Sequence, residues 1–276
     1  MPRAFLKARE PFSSYSHFIG AVLSGAGLFV LLVRLLFDSS VTGSLAAAAV
    51  VFCLSLIALY SASSVYHFSG RGEAVLRRLK KLDHSMIYVL IAGSYTPIIL
   101  KFMPAPRSYV FLGVIWLIAL TGIAIKLLWI DAPRLIGTAL YLALGWAIAF
   151  DFGVVLSMPA PAIALLAAGG LSYTVGGVIY IAKKPNLGKM IGFHELFHLF
   201  VIVGSVCHYL MVFLYVSKRA VNLHVIHGCF RFHPALTTIR QTVLILYSFS
   251  ILNFQFLFLP LTKICICNIL LIKKQY

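Results

Sequence analysis

In this chain of 276 residues 61% are hydrophobic and 11% charged, far from the roughly 25% charged of soluble domains, which excludes a water-soluble enzyme. The 23 Lys and Arg against 7 Asp and Glu give a net charge of +16; the basic residues fall mostly in short stretches between long apolar runs, where they set topology and meet anionic lipid headgroups rather than nucleic acid. The runs approach the roughly 20 residues of a spanning helix and lack the alternation of an outer-membrane barrel, so we read an all-α, polytopic protein of the cell membrane whose partners are membrane lipids.

Taken in order, residues 1–15 form a short basic segment with Arg3, Lys7 and Arg9, on the cytoplasmic side. The first apolar run, Ser16 to Phe37, is too long for the core of a cleaved secretory signal and reads as an uncleaved span. A second run covers Ser44 to His67, followed by a charged loop with Arg71, Arg77, Arg78, Lys80 and Lys81. Further spans cover His84 to Phe102, Tyr109 to Trp129, Leu135 to Leu156, Ala162 to Ala182 and Phe193 to Val216, giving a seven-helix membrane domain over 16–217. Gly169, Gly170, Gly176 and Gly177 in the sixth span are expected on one helix face, packing closely against a neighbour.

Lys and Arg concentrate in alternate connections, which places the N-terminus in the cytoplasm and the end of the seventh span outside. His67 then closes an inward-running span, Asp83 opens the next, and His194 and His198 open the seventh. All four lie at the cytoplasmic end of the bundle. Ionisable groups at such a level mark function. His194 and His198 are spaced i, i+4, about 40° apart on one helix face, a geometry that suits two imidazoles on one metal ion.

A catalytic zinc site takes three protein ligands and keeps a fourth position for water. His67, His194 and His198 meet that count. Ser63 sits four residues before His67 on the same face, and a carboxylate at Asp83 is suited to orient or deprotonate the water.

At these positions the sequence resembles the hemolysin III family, the bacterial branch of the progestin and adipoQ receptor group. The resemblance rests on Ser63-Ser64-Val65-Tyr66-His67, on Leu82-Asp83-His84-Ser85 with Gly93-Ser94-Tyr95-Thr96-Pro97, and on His194-Glu195-Leu196-Phe197-His198 with Gly204-Ser205-Val206-Cys207-His208. Glu10-Pro11-Phe12 and Ser16-His17-Phe18-Ile19-Gly20 fit the family's opening. It implies a seven-helix bundle with zinc held near the cytoplasmic face by residues matching His67, His194 and His198, with Asp83 and Ser63 at the positions of the family's water-holding acid and its neighbouring serine. Kinship with alkaline ceramidases further implies zinc-dependent hydrolysis of a lipid amide or ester.

Other readings compete. The His194–His198 stretch is also H-E-x-x-H, in which Glu195 would be the base of an intramembrane metalloprotease; Glu195, however, lies about 100° round the helix from His194. A receptor or sensor would use the zinc structurally, and a cytolysin would need a polar stripe along several spans. His208 stands about 15 Å along the helix from His198 and lines either the bundle interior or a cavity. His17 and His84 are candidates for supporting the site or meeting headgroups, and Asp151 in the fifth span reads as a partnerless, protonated acid.

Residues 218–276 fall outside the resemblance. They are rich in Ile, Leu, Phe, Asn and Lys, with an eighth helix over Val243–Leu261 as one reading and an unselected extension as the other. His224, His227, Cys229 and His233 fit no usual zinc spacing, and the five cysteines form no disulfide framework.

Overall fold

The structure is a computed structural model that describes residues 8–38, 41–188 and 191–216; the tail motifs and the eighth helix of the sequence reading lie outside the described residues. Eight α-helices are described: α1 (Pro11–Phe37), α2 (Gly43–Phe68), α3 (Glu73–Phe102), α4 (Arg107–Leu128), α5 (Arg134–Gly145), α6 (Phe152–Leu156), α7 (Ala160–Ala182) and α8 (Phe193–Met211). With α5 and α6 counted together, they make seven segments among the described residues long and apolar enough to cross a membrane. Helices α1 to α5 pack each on the next, α5 packs on α7 and α7 on α8, and α1 also touches α8, which closes the bundle into a ring.

Helix α1 starts at Pro11, whose missing N–H costs nothing in a first turn. Ser13, Ser14, His17 and Gly20 recur along one buried face, whereas Phe18, Ile19, Val22 and Leu23 are exposed on the opposite side, as expected for a helix between lipid and bundle. The backbone N–H groups of Arg9 and Glu10 donate to the Phe68 and His67 carbonyls at 3.4 and 3.0 Å. The segment before α1 is thereby docked on the end of α2.

Four sequence expectations are corrected. The charged stretch after residue 71 is not a loop beyond Glu73: Glu, Leu, Arg and Lys are strong helix formers, and α3 runs through them. Arg77 pairs with Asp131 at 2.6 Å and Lys81 donates to the Leu127 carbonyl. Asp83 therefore lies well inside α3 and is 8% exposed.

The glycines of α7 divide between two faces, because neighbouring residues stand about 100° apart. A Cβ at Gly169 or Gly176 would strike His208 or Phe200 of α8, at 2.3 and 2.9 Å, whereas one at Gly177 would meet Thr138 and Leu142 of α5 at 3.2 and 3.3 Å.

The fifth span is broken by a 3-10 turn over Ala147–Asp151. The Tyr95 hydroxyl occupies the break, shared between the Leu144 and Gly145 carbonyls at 3.1 and 2.7 Å and accepting from the Ile148 N–H at 3.0 Å. Backbone polar groups freed inside a membrane need such a partner. Asp151, in this turn, is not partnerless: Arg107 at the start of α4 holds its carboxylate at 2.5 Å.

Candidate metal centre

His67 comes from the last turn of α2, and His194 and His198 from the first turns of α8. Helix α8 is started there by a one-sided cap in which the Gly192 N–H donates to Glu195 Oε2 at 2.9 Å. The other Glu195 oxygen accepts from the Ser13 hydroxyl at 3.3 Å, which ties the start of α8 to α1. A carboxylate so engaged is a helix cap, not a free general base.

The ring packing brings the three histidines together. One ligand-competent nitrogen from each falls within 4.8 Å of the others, and the Nε2 atoms of His67 and His194 are 3.5 Å apart. Two imidazole nitrogens at about 2.0–2.1 Å from a tetrahedral ion stand about 3.3–3.4 Å apart. His67 is 1% and His198 2% exposed, and His198 Nδ1 is buried without a hydrogen-bond partner among the described residues. Converging ring nitrogens with an orphaned donor or acceptor are costly in an apolar bundle, and a metal ion satisfies them. The triad can hold one.

Glu10 is the residue that reading the sequence left without a role. The Nδ1–H of His67 donates to Glu10 Oε2 at 2.6 Å, which fixes the ring and turns Nε2 towards His194. That hydrogen bond, helped by the neighbouring charges of His67, Arg9 and His194, holds the Glu10 carboxyl below the usual carboxylate range. Carboxylate–histidine pairs of this kind orient metal ligands and raise their basicity. Glu10→Gln is therefore expected to weaken metal binding about 10–100-fold while leaving the helix content of the membrane-inserted protein intact; competition with a metal-sensitive dye measures it.

His17 does not face headgroups. Its ring stacks on His198 with centroids 3.9 Å apart and meets Tyr60 edge-on at 5.0 Å, and both its nitrogens are buried without partners among the described residues. It walls the triad from the α1 side.

A cavity of about 790 Å³ opens beside the triad, with Ser63, His67, Asp83 and His198 at one end and Tyr95 and His208 further along. Asp83 is outside the group whose donor atoms converge, and the Ser63 hydroxyl faces its carboxylate. The structure thus brings all five sequence-selected residues, His67, His194, His198, Asp83 and Ser63, to one cavity. His208 lines the same cavity, edge-on to Tyr173 at 5.3 Å.

A ring of membrane-spanning helices around a buried histidine triad defines a polytopic membrane protein with a candidate intramembrane metal site. The sequence profile described as "Haemolysin-III related" matches residues 5–209. Hemolysin-3 of Bacillus cereus is 32% identical over 209 residues, covering 75% of this chain and 92% of the relative, and the Hemolysin-3 homolog of Bacillus subtilis (strain 168) is 33% identical over 169 residues, 61% of this chain and 76% of the relative. Similarity extends to the human monocyte to macrophage differentiation factor, at 28% identity over 61% of this chain and 70% of that protein. The chain belongs to the haemolysin III family.

Proposed function

We propose that this protein is a zinc-dependent hydrolase acting on an amide or ester bond of a membrane lipid. The observation that carries the reading is the buried triad of His67, His194 and His198 opening on a cavity that also holds a buried carboxylate outside the ligand set. Imidazole donors in a three-histidine set suit zinc. The three histidines would hold the ion, which when bound makes water nucleophilic near neutral pH and polarises a carbonyl.

The chain's own groups supply the rest. In this reading Asp83, which shares the cavity with the triad, takes the proton that water loses on attacking the carbonyl and hands it to the departing amine or alcohol. Ser63 faces Asp83 and restrains its orientation, and Glu10 holds the His67 ring. The cavity lies within the range of small-ligand sites, about 300–1,000 Å³, and its walls are largely apolar, with Leu59, Ile87, Ile91, Ile98 and Leu166 available to an acyl chain.

The Bacillus relatives carry the name hemolysin, so membrane lysis is the competing reading. A pore needs polar side chains along its spans; the large residues exposed along α1, among them Phe18, Leu23, Phe29 and Leu36, are instead apolar.

The test is turnover by the full-length protein in nanodiscs carrying defined amide- and ester-linked lipids, with released fatty acid read by mass spectrometry. Release by the zinc-loaded protein, lost on chelation and restored by zinc, is the expected result. Absence of release from every lipid class offered, with zinc stoichiometrically bound, would leave a structural metal in a receptor-like or lytic protein as the better reading.

A further inference from the structure

Lys126, in the last turn of α4, belongs by sequence to the basic residues that mark the end of a span, and the ordinary fate of such a lysine is to snorkel to headgroups. The structure places it elsewhere. Its side chain turns into the bundle, where the residue is 4% exposed and lines the same cavity as the histidine triad. Nζ sits in a notch over Gly137, where an added Cβ would come within 2.7 Å of it. Fully buried lysines are almost never found unpaired.

Among the described residues no carboxylate pairs with it. The neighbouring acid, Asp131, is held by Arg77 at 2.6 Å and Lys80 at 3.8 Å. Lys80 is near enough for the two ammonium charges to repel, and the Tyr141 ring centroid lies 5.8 Å from Nζ. Two more positive or donor-capable groups line the cavity. Arg134 lies over the Tyr180 and Phe193 rings, at 5.1 and 5.6 Å, and His84, which feels the charge of Lys126, has its Nδ1 buried without a partner among the described residues. Cations that repel one another across a cavity, beside an unsatisfied imidazole nitrogen, are complementary to an anion.

We infer that Lys126, with His84 and Lys80 beside it and Arg134 lining the same cavity, forms a binding site for a phosphate group, carried on a lipid headgroup or supplied as a soluble phosphate. A tetrahedral oxyanion can accept from an ammonium and an imidazole N–H at once, and charge-assisted bonds of this kind are the strong ones. The inference concerns occupancy of the cavity and stands apart from hydrolysis, so its test uses a ligand that has neither a carboxamide nor a carboxylic ester to cleave.

The experiment measures equilibrium binding of 1-O-hexadecylglycerol 3-phosphate, an ether-linked phosphate monoester, and of uncharged 1-O-hexadecylglycerol to the full-length protein in neutral detergent. Wild type is expected to bind the phosphate probe at least about tenfold more tightly than the neutral one, since one charge-assisted hydrogen bond is worth that much. Lys126→Met should bring the two within about twofold, Lys126→Arg should keep most of the difference, and Gly137→Ala, which crowds Nζ without removing the charge, should reduce it. Displacement of the probe by millimolar inorganic phosphate would identify a soluble source, and its failure to displace would identify the lipid headgroup.

A thermal readout separates binding from structure. Without ligand, Lys126→Met should melt no lower than wild type, because removing an unpaired buried charge relieves the fold, and only wild type should gain melting temperature from the phosphate probe. Equal affinity of wild type for both probes, an undiminished preference in Lys126→Met, or marked destabilisation of ligand-free Lys126→Met would overturn the inference.

Discussion

His198→Ala is expected to abolish stoichiometric metal binding. The residue supplies one of three donors, is 2% exposed, and has a ring nitrogen that no described residue satisfies. Losing a supporting partner of a ligand costs about 10–100-fold in affinity, and losing a donor removes a coordinate bond outright, so the purified variant should carry well under a tenth of the wild-type metal. His208→Ala is the matched control. It lies on the same helix, is comparably buried, and takes no part in the convergent triad. Its variant should insert, melt as a folded helical protein and retain the metal. Metal content by plasma mass spectrometry and helicity by circular dichroism check both variants. Equal metal loss from the two would point to general disruption of α8 rather than loss of a ligand.

Asp83→Asn is expected to do the opposite: keep the metal and lose the chemistry. Asparagine matches the shape of the acid and can still meet Ser63, but it has no basic oxygen to take a proton. General-base catalysis contributes about 10²–10⁴-fold, and the loss should fall in kcat because proton transfer belongs to the transition state. Asp83 lies outside the group of converging donor atoms, so metal content should stay near wild type. A variant that lost metal in parallel with activity would make Asp83 a ligand, and the base would have to be sought elsewhere in the cavity.

The seven spans were legible because lipid imposes a coarse requirement, about 20 apolar residues with every backbone group satisfied, and the chain meets it in each segment. The histidines were legible for a different reason. The i, i+4 spacing fixes His194 and His198 on one face, and alternation of the spans carries His67 and Asp83 to the same end.

What escaped depended on contacts remote in sequence. Glu10 reaches His67 only because backbone hydrogen bonds dock the segment before α1 onto α2. A signal was available: an acidic residue, in a chain with seven, placed just before the first span at the level of the histidines. The break in the fifth span had no such signal, since its freed carbonyls are satisfied by Tyr95 from another helix. Asp151 looked partnerless for the same reason, its partner Arg107 being far away in sequence. The charged residues from Glu73 to Lys81 precede the apolar run of α3 but lie within its helix, so the apolar boundary and the helix boundary of α3 differ. By its place at the end of a span Lys126 reads as a topology-setting cation; its burial and its place over Gly137 show that the ammonium turns inward.

X-ray absorption at the zinc edge of the purified full-length protein tests the triad most directly. One zinc per chain, with three imidazole nitrogens at about 2.0–2.1 Å and a remaining oxygen donor, is the predicted spectrum. Substoichiometric zinc, a sulfur donor, or fewer than three imidazoles would contradict a site built from His67, His194 and His198.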